Sequence, residues 1–474
     1  MDAAAFRRYA HQVADWMADY LEQVDQYPVK SPAKPGDILR QLPDAPPEAG
    51  EDMEDIFRDF EDILLPGITH WQSPRFFAYF PANTSYPSLL AEMMTAALGA
   101  QCMVWETSPA AAELEEKVMD WLGQLIGIPA TWSGVIQSTA SDATLCALLT
   151  AREQVTGWEI NTSGFPAGRR FRIYASSQAH SSIEKGVKIA GFGQENLVYI
   201  PTDADFAMVP SALEAAIEAD LAQGYVPLLV VACLGTTSSA AVDPLATIGE
   251  ISTRYGLWLH VDAAYGGAAM ILPECQHFIQ GIERANSFVC NPHKWLLTHF
   301  DCSAYYVRDA AALVRTFSIL PEYLRTAVTG QVKDYRDWGV QLGRRFRALK
   351  LWMVMRHYGM SGLQAHVRSH ITMAQEAAGW VDAHPHFERV APVWFSLVCF
   401  RWTPPGITDP ETLDTLNATL LKRLNDSGTI YLTQTRLGGQ YVIRLAIGQT
   451  FTTPRHVAEA WAQICETAEL VQAE

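Results

Sequence analysis

The sequence predicts an α/β protein built on a mainly parallel sheet with helices on both faces. Between about residues 85 and 365, short apolar runs of strand length alternate with stretches of helix length, the pattern of βαβ units. The strand-like runs, Val226 to Cys233 above all, are apolar almost throughout. Strands buried on both faces require that composition. Three of these runs end in polar residues, and an open α/β sheet places its ligands at the carboxyl ends of its strands.

The elements follow in order. Residues 1–84 form an N-terminal helical segment in which Phe6, Tyr9, Val13, Trp16, Met17, Tyr20 and Val24 recur at three- and four-residue spacing. So aromatic a face needs cover, and a partner subunit is the favoured source. A Pro-rich acidic connector follows, from Pro28 through Pro47 to Asp62. The large domain, 85–365, offers the stretch Gly134 to Thr144, where Ser and Thr cluster as a strand hands over to the helical run Leu145 to Arg152. Later come the strand Val226 to Cys233, the loop Leu234-Gly235-Thr236-Thr237 and the helix Leu245 to Tyr255. The strand Leu257 to Asp262, a helix over Cys275 to Arg284, and the strand Ser287 to Cys290 complete the run, which ends in Asn291-Pro292-His293-Lys294. Residues 366–474 read as a smaller α/β domain whose best strand is Tyr441 to Ile447.

Composition excludes several functions. With 35 basic and 52 acidic residues the formal charge is −17, which repels nucleic-acid phosphates and anionic membranes. No apolar stretch approaches the roughly 18–20 residues of a membrane span, and the start lacks the order of a signal peptide. A cytoplasmic location is therefore expected. The eight cysteines are scattered without CxxC spacing and read as buried free thiols. No paired-cysteine or HExxH metal spacing, dinucleotide fingerprint or G-x-S-x-G turn occurs, so no metal is expected.

Chemistry concentrates at the three strand ends: Thr236-Thr237, Asp262 and His293-Lys294. Taken singly, an aspartate there is a turn former and a lysine a solvated surface residue. Lys294, however, sits between Phe288-Val289-Cys290 and Trp295-Leu296-Leu297, and desolvation there lowers an amine's pKa and makes it a nucleophile. Convergence on one sheet edge turns the balance toward function. Small residues after Asp262, from Ala263 to Gly267, allow a flat ligand to approach. The Ser/Thr cluster before Leu145 places exposed amides at a helix N-terminus, suited to phosphate or to simple capping.

These residues resemble the group II pyridoxal-phosphate (PLP) decarboxylases, and most closely the aromatic-L-amino-acid decarboxylases. The resemblance runs from Trp71 to Pro81 through Gln178 to Ser182, Leu259 to Gly266, Asn291 to Trp295 and Phe300 to Ser303 to Leu342 to Phe346, and weakens in the last hundred residues. It implies PLP fold type I, the aspartate-aminotransferase-like architecture with a seven-stranded sheet. A homodimer wrapped by its N-terminal segments, with the active site at the subunit interface, is implied as well. By the same resemblance Lys294 is the Schiff-base lysine and Asp262 the partner of the pyridine nitrogen. His180 stacks on one ring face and Ala264 lies on the other, Ala140, Ser141 and Asn291 meet the phosphate, His293 stands beside the imine, and Thr237 is a further cofactor contact. Tyr323 matches the tyrosine that returns a proton to the α-carbon. Trp71, Tyr79, Phe80, Ala82, Gln101, Met103 and Gly343 fall at substrate-pocket positions, with Ala82, Gln101 and Met103 expected to line the pocket from the neighbouring subunit. Ala82, Gln101 and Met103 depart from the residues usual there.

The implied reaction converts an aromatic L-amino acid to an arylalkylamine and CO₂. Aldehyde synthases on this scaffold carry Phe at the position of Tyr323, so tyrosine favours amine formation. Histidine decarboxylases carry Ser at the positions of His293 and Gly343, which argues for an aromatic substrate over histidine. An aminotransferase clamps its substrate carboxylate with an arginine, and Arg444 invites that reading but decides nothing, because the decarboxylases have arginine there too. A non-catalytic PLP carrier has no need of His180 or Tyr323.

Overall fold

A computed structural model describes residues 1–319 and 331–473. The chain divides into two compact units, one of residues 1–81, 376–390 and 399–474, the other of residues 82–375 and 391–398.

The second unit is organised by a seven-stranded sheet of β1 (Ser133–Gln137), β2 (Phe171–Ser176), β3 (Leu197–Ile200), β4 (Val226–Cys233), β5 (Trp258–Asp262), β6 (Ser287–Cys290) and β7 (Ser303–Val307). Their spatial order is β1-β7-β6-β5-β4-β2-β3. The run from β3 to β6 is parallel, and β7 is antiparallel to both of its neighbours. β5, β6 and β7 are buried at every position, which is why their sequences do not alternate.

The helix Ala140–Val155 lies across β4 to β7. It packs closely because its buried residues are largely small, Ala143, Cys146, Ala147 and Ala151 among them. Thr139 caps it in a reciprocal box with Asp142, and the return from β1 brings its N-terminus to the carboxyl edge of the sheet. Cys275 to Arg284, expected as one helix, is instead two 3-10 segments, Pro273–Ile279 and Ile282–Arg284. Gly281 separates them at φ 93°, where an added Cβ would stand 2.5 Å from Ala246 Cα. The close packing on Ala246 leaves no room for a continuous turn.

Glu115 and Arg344 form a buried bidentate pair, at 2.6 and 3.1 Å, beneath β1. Glu115 also accepts from the Ile136 N–H at 2.9 Å, and Arg344 donates to the Ile136 carbonyl at 2.8 Å. The pair thus bonds the helix Pro109–Ile126 and the segment around residue 344 to one strand.

The first unit carries a four-stranded sheet of β8 (Phe387–Arg389), β9 (Leu397–Trp402), β10 (Thr433–Leu437) and β11 (Gln440–Ala446), in the order β10-β11-β9-β8. The N-terminal helix Ala3–Gln23 packs edge-on against the segment 53–64 through Tyr9 on Phe57 and Trp16 on Phe60, with only Leu21 of its residues buried. All eight cysteines are unpaired, seven of them buried. No helix among the described residues is long and apolar enough to cross a membrane.

Two outcomes follow. Glu115→Ala leaves Arg344 buried without its carboxylate and should lower stability in urea melts by about 3–5 kcal/mol, with much of the loss regained on replacing both residues by apolar ones. Burial also pushes His260 to about 4, His293 to about 3 and His366 to about 4. Each folded-state value lies below the ordinary ~6.5, so protons go first to the unfolded chain. Stability is full above about pH 6.5 and should fall toward pH 4 by roughly 1.4 kcal/mol per pH unit for each imidazole. Urea melts between pH 5 and 7.5 read that slope.

Candidate active site

Three neighbouring strands bring their last residues to one edge, and the backbone holds the loops beyond them in register. Leu234 N–H donates to the Asp262 carbonyl at 2.9 Å, Ala263 N–H to Val289 at 3.0 Å and Asn291 N–H to Ala264 at 3.1 Å. The turn after Asp262 is seated tightly: a Cβ on Gly266 would lie 2.2 Å from the Leu234 carbonyl oxygen, and one on Gly267 2.8 Å from Cys290 Cβ. Those glycines serve contact between protein segments. The small residue left beside Asp262 for a flat ligand is Ala264.

Asp262 closes β5 and is buried. Its Oδ1 accepts from the Ala264 N–H at 3.0 Å, fixing the turn, and among the described residues no donor meets Oδ2. Lys294 lies on the short helix Pro292–Trp295 after β6 and is partly buried. Burial holds its ammonium below the usual lysine range, while the charge of Asp262 opposes the shift. His180 caps the helix Ser181–Ile189, its Nδ1 accepting from the Ser182 N–H at 3.1 Å, so the proton of the neutral ring sits on Nε2. The ring is exposed on the single chain, yet the surrounding protein lowers its pKa, with Asp262 opposing and Lys294 assisting. The charges of Asp262 and Lys294 thus both reach His180, and that of Asp262 reaches Lys294.

Ala140 and Ser141 open the helix Ala140–Val155, where backbone N–H groups have no partner within the helix. Asp142 is turned back toward the cap, accepting from Ser138 and from the Thr139 N–H. Asn291 Oδ1 accepts from Ser303 Oγ at 2.6 Å. His293 is buried and neutral, its Nδ1 accepting from the Cys302 N–H at 2.8 Å. Thr237 is exposed in the turn after β4, whereas Thr236 is buried and anchors that turn through Ser239 and Ala241. Tyr323 lies outside the described residues.

Of the pocket residues, Gln101, Met103, Ala82 and Gly343 belong to the same unit as Lys294. Gln101 Oε1 accepts from the Arg344 N–H at 2.7 Å, and the Met103 carbonyl accepts from the Arg336 N–H at 2.9 Å. Trp71, Tyr79 and Phe80 belong to the other unit. There Trp71 and Tyr79 stack at 5.7 Å, and Phe80 is buried beneath the Arg444 guanidinium, 5.2 Å from its ring centre. Arg444 also donates to Thr433 Oγ1 at 2.8 Å and to the Tyr79 carbonyl at 3.2 Å.

Two supports of the site were not among the residues expected. Asn83, fully buried, donates from its N–H to the His293 carbonyl at 2.9 Å and from Nδ2 to the Lys294 carbonyl at 2.7 Å. Trp295 stacks on Tyr265 at 4.7 Å and donates its indole N–H to His370 Nδ1 at 2.9 Å. A buried asparagine is visible only through its partners; Tyr265 and Trp295 stand beside the site motifs and could have been suspected.

The donor set suits a flat, phosphate-bearing, carbonyl-containing cofactor with a basic ring nitrogen: an amine shifted toward its neutral form, a carboxylate oxygen without a donor, two flat or small flanking residues, and a helix N-terminus. Comparison with known proteins agrees. The pyridoxal-dependent decarboxylase conserved domain matches residues 35–403. A tyrosine decarboxylase of Narcissus pseudonarcissus is 43% identical, covering 100% of this chain and 96% of its own length. A phenylacetaldehyde synthase of Arabidopsis thaliana is 43% identical, covering 99% and 96%. The crystal structure of Catharanthus roseus tryptophan decarboxylase with L-tryptophan superposes at a TM-score of 0.94 with 40% identity, covering 99% of each chain. The chain therefore belongs to the pyridoxal-dependent decarboxylases, enzymes of PLP fold type I.

Proposed function

We propose that this enzyme decarboxylates aromatic L-amino acids to arylalkylamines, with Lys294 holding the cofactor and Asp262 controlling its charge. One observation carries the reading: a lysine with a lowered pKa and a buried carboxylate stand at the ends of adjacent parallel strands, each in the other's field. The relatives' substrates, tyrosine and tryptophan, support an aromatic side chain.

Bound pyridoxal phosphate supplies an electron sink for the pair left on the α-carbon when CO₂ departs. The residues of the chain arrange the rest. Lys294 would hold the cofactor through its amine, and Asp262 Oδ2, which meets no donor among the described residues, would keep the ring nitrogen protonated. Ala140 and Ser141, with Asn291, take the phosphate at the helix N-terminus. His180 covers one ring face and Ala264 the other, and Thr237 makes a further contact. His293, neutral at pH 7, stands next to the lysine without adding charge. Tyr323 returns the proton to the α-carbon.

The reading includes a homodimer with substrate bound between subunits. It is supported by the apolar residues exposed on a single chain along the helix Tyr86–Leu98, Leu90, Met93, Met94 and Leu98, and by Phe6 and Val13 on the N-terminal helix. Eight unpaired cysteines suit a reducing cytoplasm. Aldehyde synthesis is the second reading, favoured by the phenylacetaldehyde synthase among the relatives.

Incubation with tryptophan, tyrosine, phenylalanine, dihydroxyphenylalanine and histidine should release CO₂ and amine without 2-oxoglutarate; keto acid formed only with it would mean an aminotransferase. Asp262→Asn should lower kcat by about 10²-fold or more, and Lys294→Ala should remove both turnover and the visible absorbance of bound cofactor. Tyr323→Phe should lower amine and raise aldehyde, ammonia and peroxide at the expense of O₂. Unchanged products would take Tyr323 out of the mechanism. In gel filtration, truncation before residue 30 should weaken the dimer.

A further inference from the structure

Gln101 departs from the residues usual at its position, and its surroundings fix which end of its side chain is presented. The Arg344 backbone N–H is a donor and meets the carboxamide at 2.7 Å, so the atom facing it must be the oxygen, Oε1. Nε2, a donor only, is thereby turned the other way. Among the described residues it has no protein partner. Gly343 leaves it uncovered: a Cβ built there would stand 3.6 Å from Nε2, and no side chain fills that space. Both residues are exposed on the single chain.

The donor is also held still. Thr107 Oγ1 donates to the Gln101 carbonyl at 2.7 Å, fixing the backbone below the side chain. Arg344, whose N–H orients Oε1, is locked through its guanidinium by the buried carboxylate of Glu115 and the Ile136 carbonyl. Surface glutamines are ordinarily free to turn their amides over. This one is prevented by a backbone group that only donates.

We infer that Gln101 is a specificity-determining residue whose Nε2 donates to an acceptor on the substrate ring, selecting hydroxylated phenyl side chains over bare phenyl and indole. The inference rests on reading Gln101, Met103 and Gly343 as one wall of the substrate pocket, the positions that the family resemblance implies. A phenol oxygen accepts from the amide N–H. Phenylalanine offers no partner and leaves the donor unmet once water is displaced. The indole N–H of tryptophan brings a second donor against the first.

Two variants test this in the holoenzyme, each checked by thermal melt for folding. Gln101→Met keeps the length and removes the donor; it should lower the ratio of kcat/KM for tyrosine to that for phenylalanine about tenfold. Gln101→Glu keeps an oxygen for the Arg344 N–H and replaces the donor by an acceptor; it should raise the ratio for tryptophan to phenylalanine. Both shifts together support the assignment. If each variant changes all three substrates by one common factor, Gln101 lines the pocket without reading the ring, and the inference fails while the wall stands. If neither variant changes any substrate, Gln101 lies off the site and the wall fails too. A wild-type enzyme that releases no CO₂ from any of them overturns the decarboxylase reading itself.

Discussion

The site depends on the field between a carboxylate and an amine at the ends of adjacent strands. Asp262 is buried, and burial alone pushes Lys294 toward its neutral form. A lysine desolvated without a nearby anion would be a better nucleophile but a poor place for a cationic ring. Asp262 closes β5 and Lys294 follows the end of the neighbouring β6, strands held in the Asp262–Val289 register, and the charge of Asp262 acts on the amine. The parallel pairing of β5 with β6 sets the two segments side by side through backbone hydrogen bonds.

What surrounds the pair keeps it from drifting. Asn83 bonds the carbonyls of both His293 and Lys294, and Trp295 lies flat on Tyr265. Lys294 and Trp295 are consecutive, and Tyr265 follows Asp262 by three residues, so this stack joins the segment carrying the amine to the segment carrying the carboxylate. His370 accepts the indole N–H and must be neutral to do so, which its burial enforces.

Much of this was legible in the sequence, and what was not has a physical cause. Fully apolar strands between helices announced the sheet, and β4 and β6 fall at the residues expected. Cys275 to Arg284 carried an apolar helical spacing, but the contact of Gly281 with Ala246 is a long-range packing fact that no local pattern encodes. Gly266 and Gly267 looked like room for a ligand and are instead room for Leu234 and Cys290. The roles of His180, Ala140 and Ser141 came from family resemblance. Their local geometry, a capping imidazole and a helix opening at the sheet edge, is compatible with those roles, though a cap alone would look the same.

Arg444 shows how position and partners divide two chemistries that share a lysine. An arginine that grips a substrate carboxylate lowers the energy of the charged group, which opposes its departure as neutral CO₂ and suits an aminotransferase. A decarboxylase gains by leaving that carboxylate poorly solvated and out of the ring plane. In this chain the Arg444 guanidinium donates to Thr433 and to the Tyr79 carbonyl and lies over Phe80, all residues of its own unit. Its charge is directed to holding the backbone at Tyr79, where φ is 51°, a conformation that tyrosine does not favour unaided. An arginine engaged in this way supports the aromatic residues around it, and the residue type alone does not separate transamination from decarboxylation.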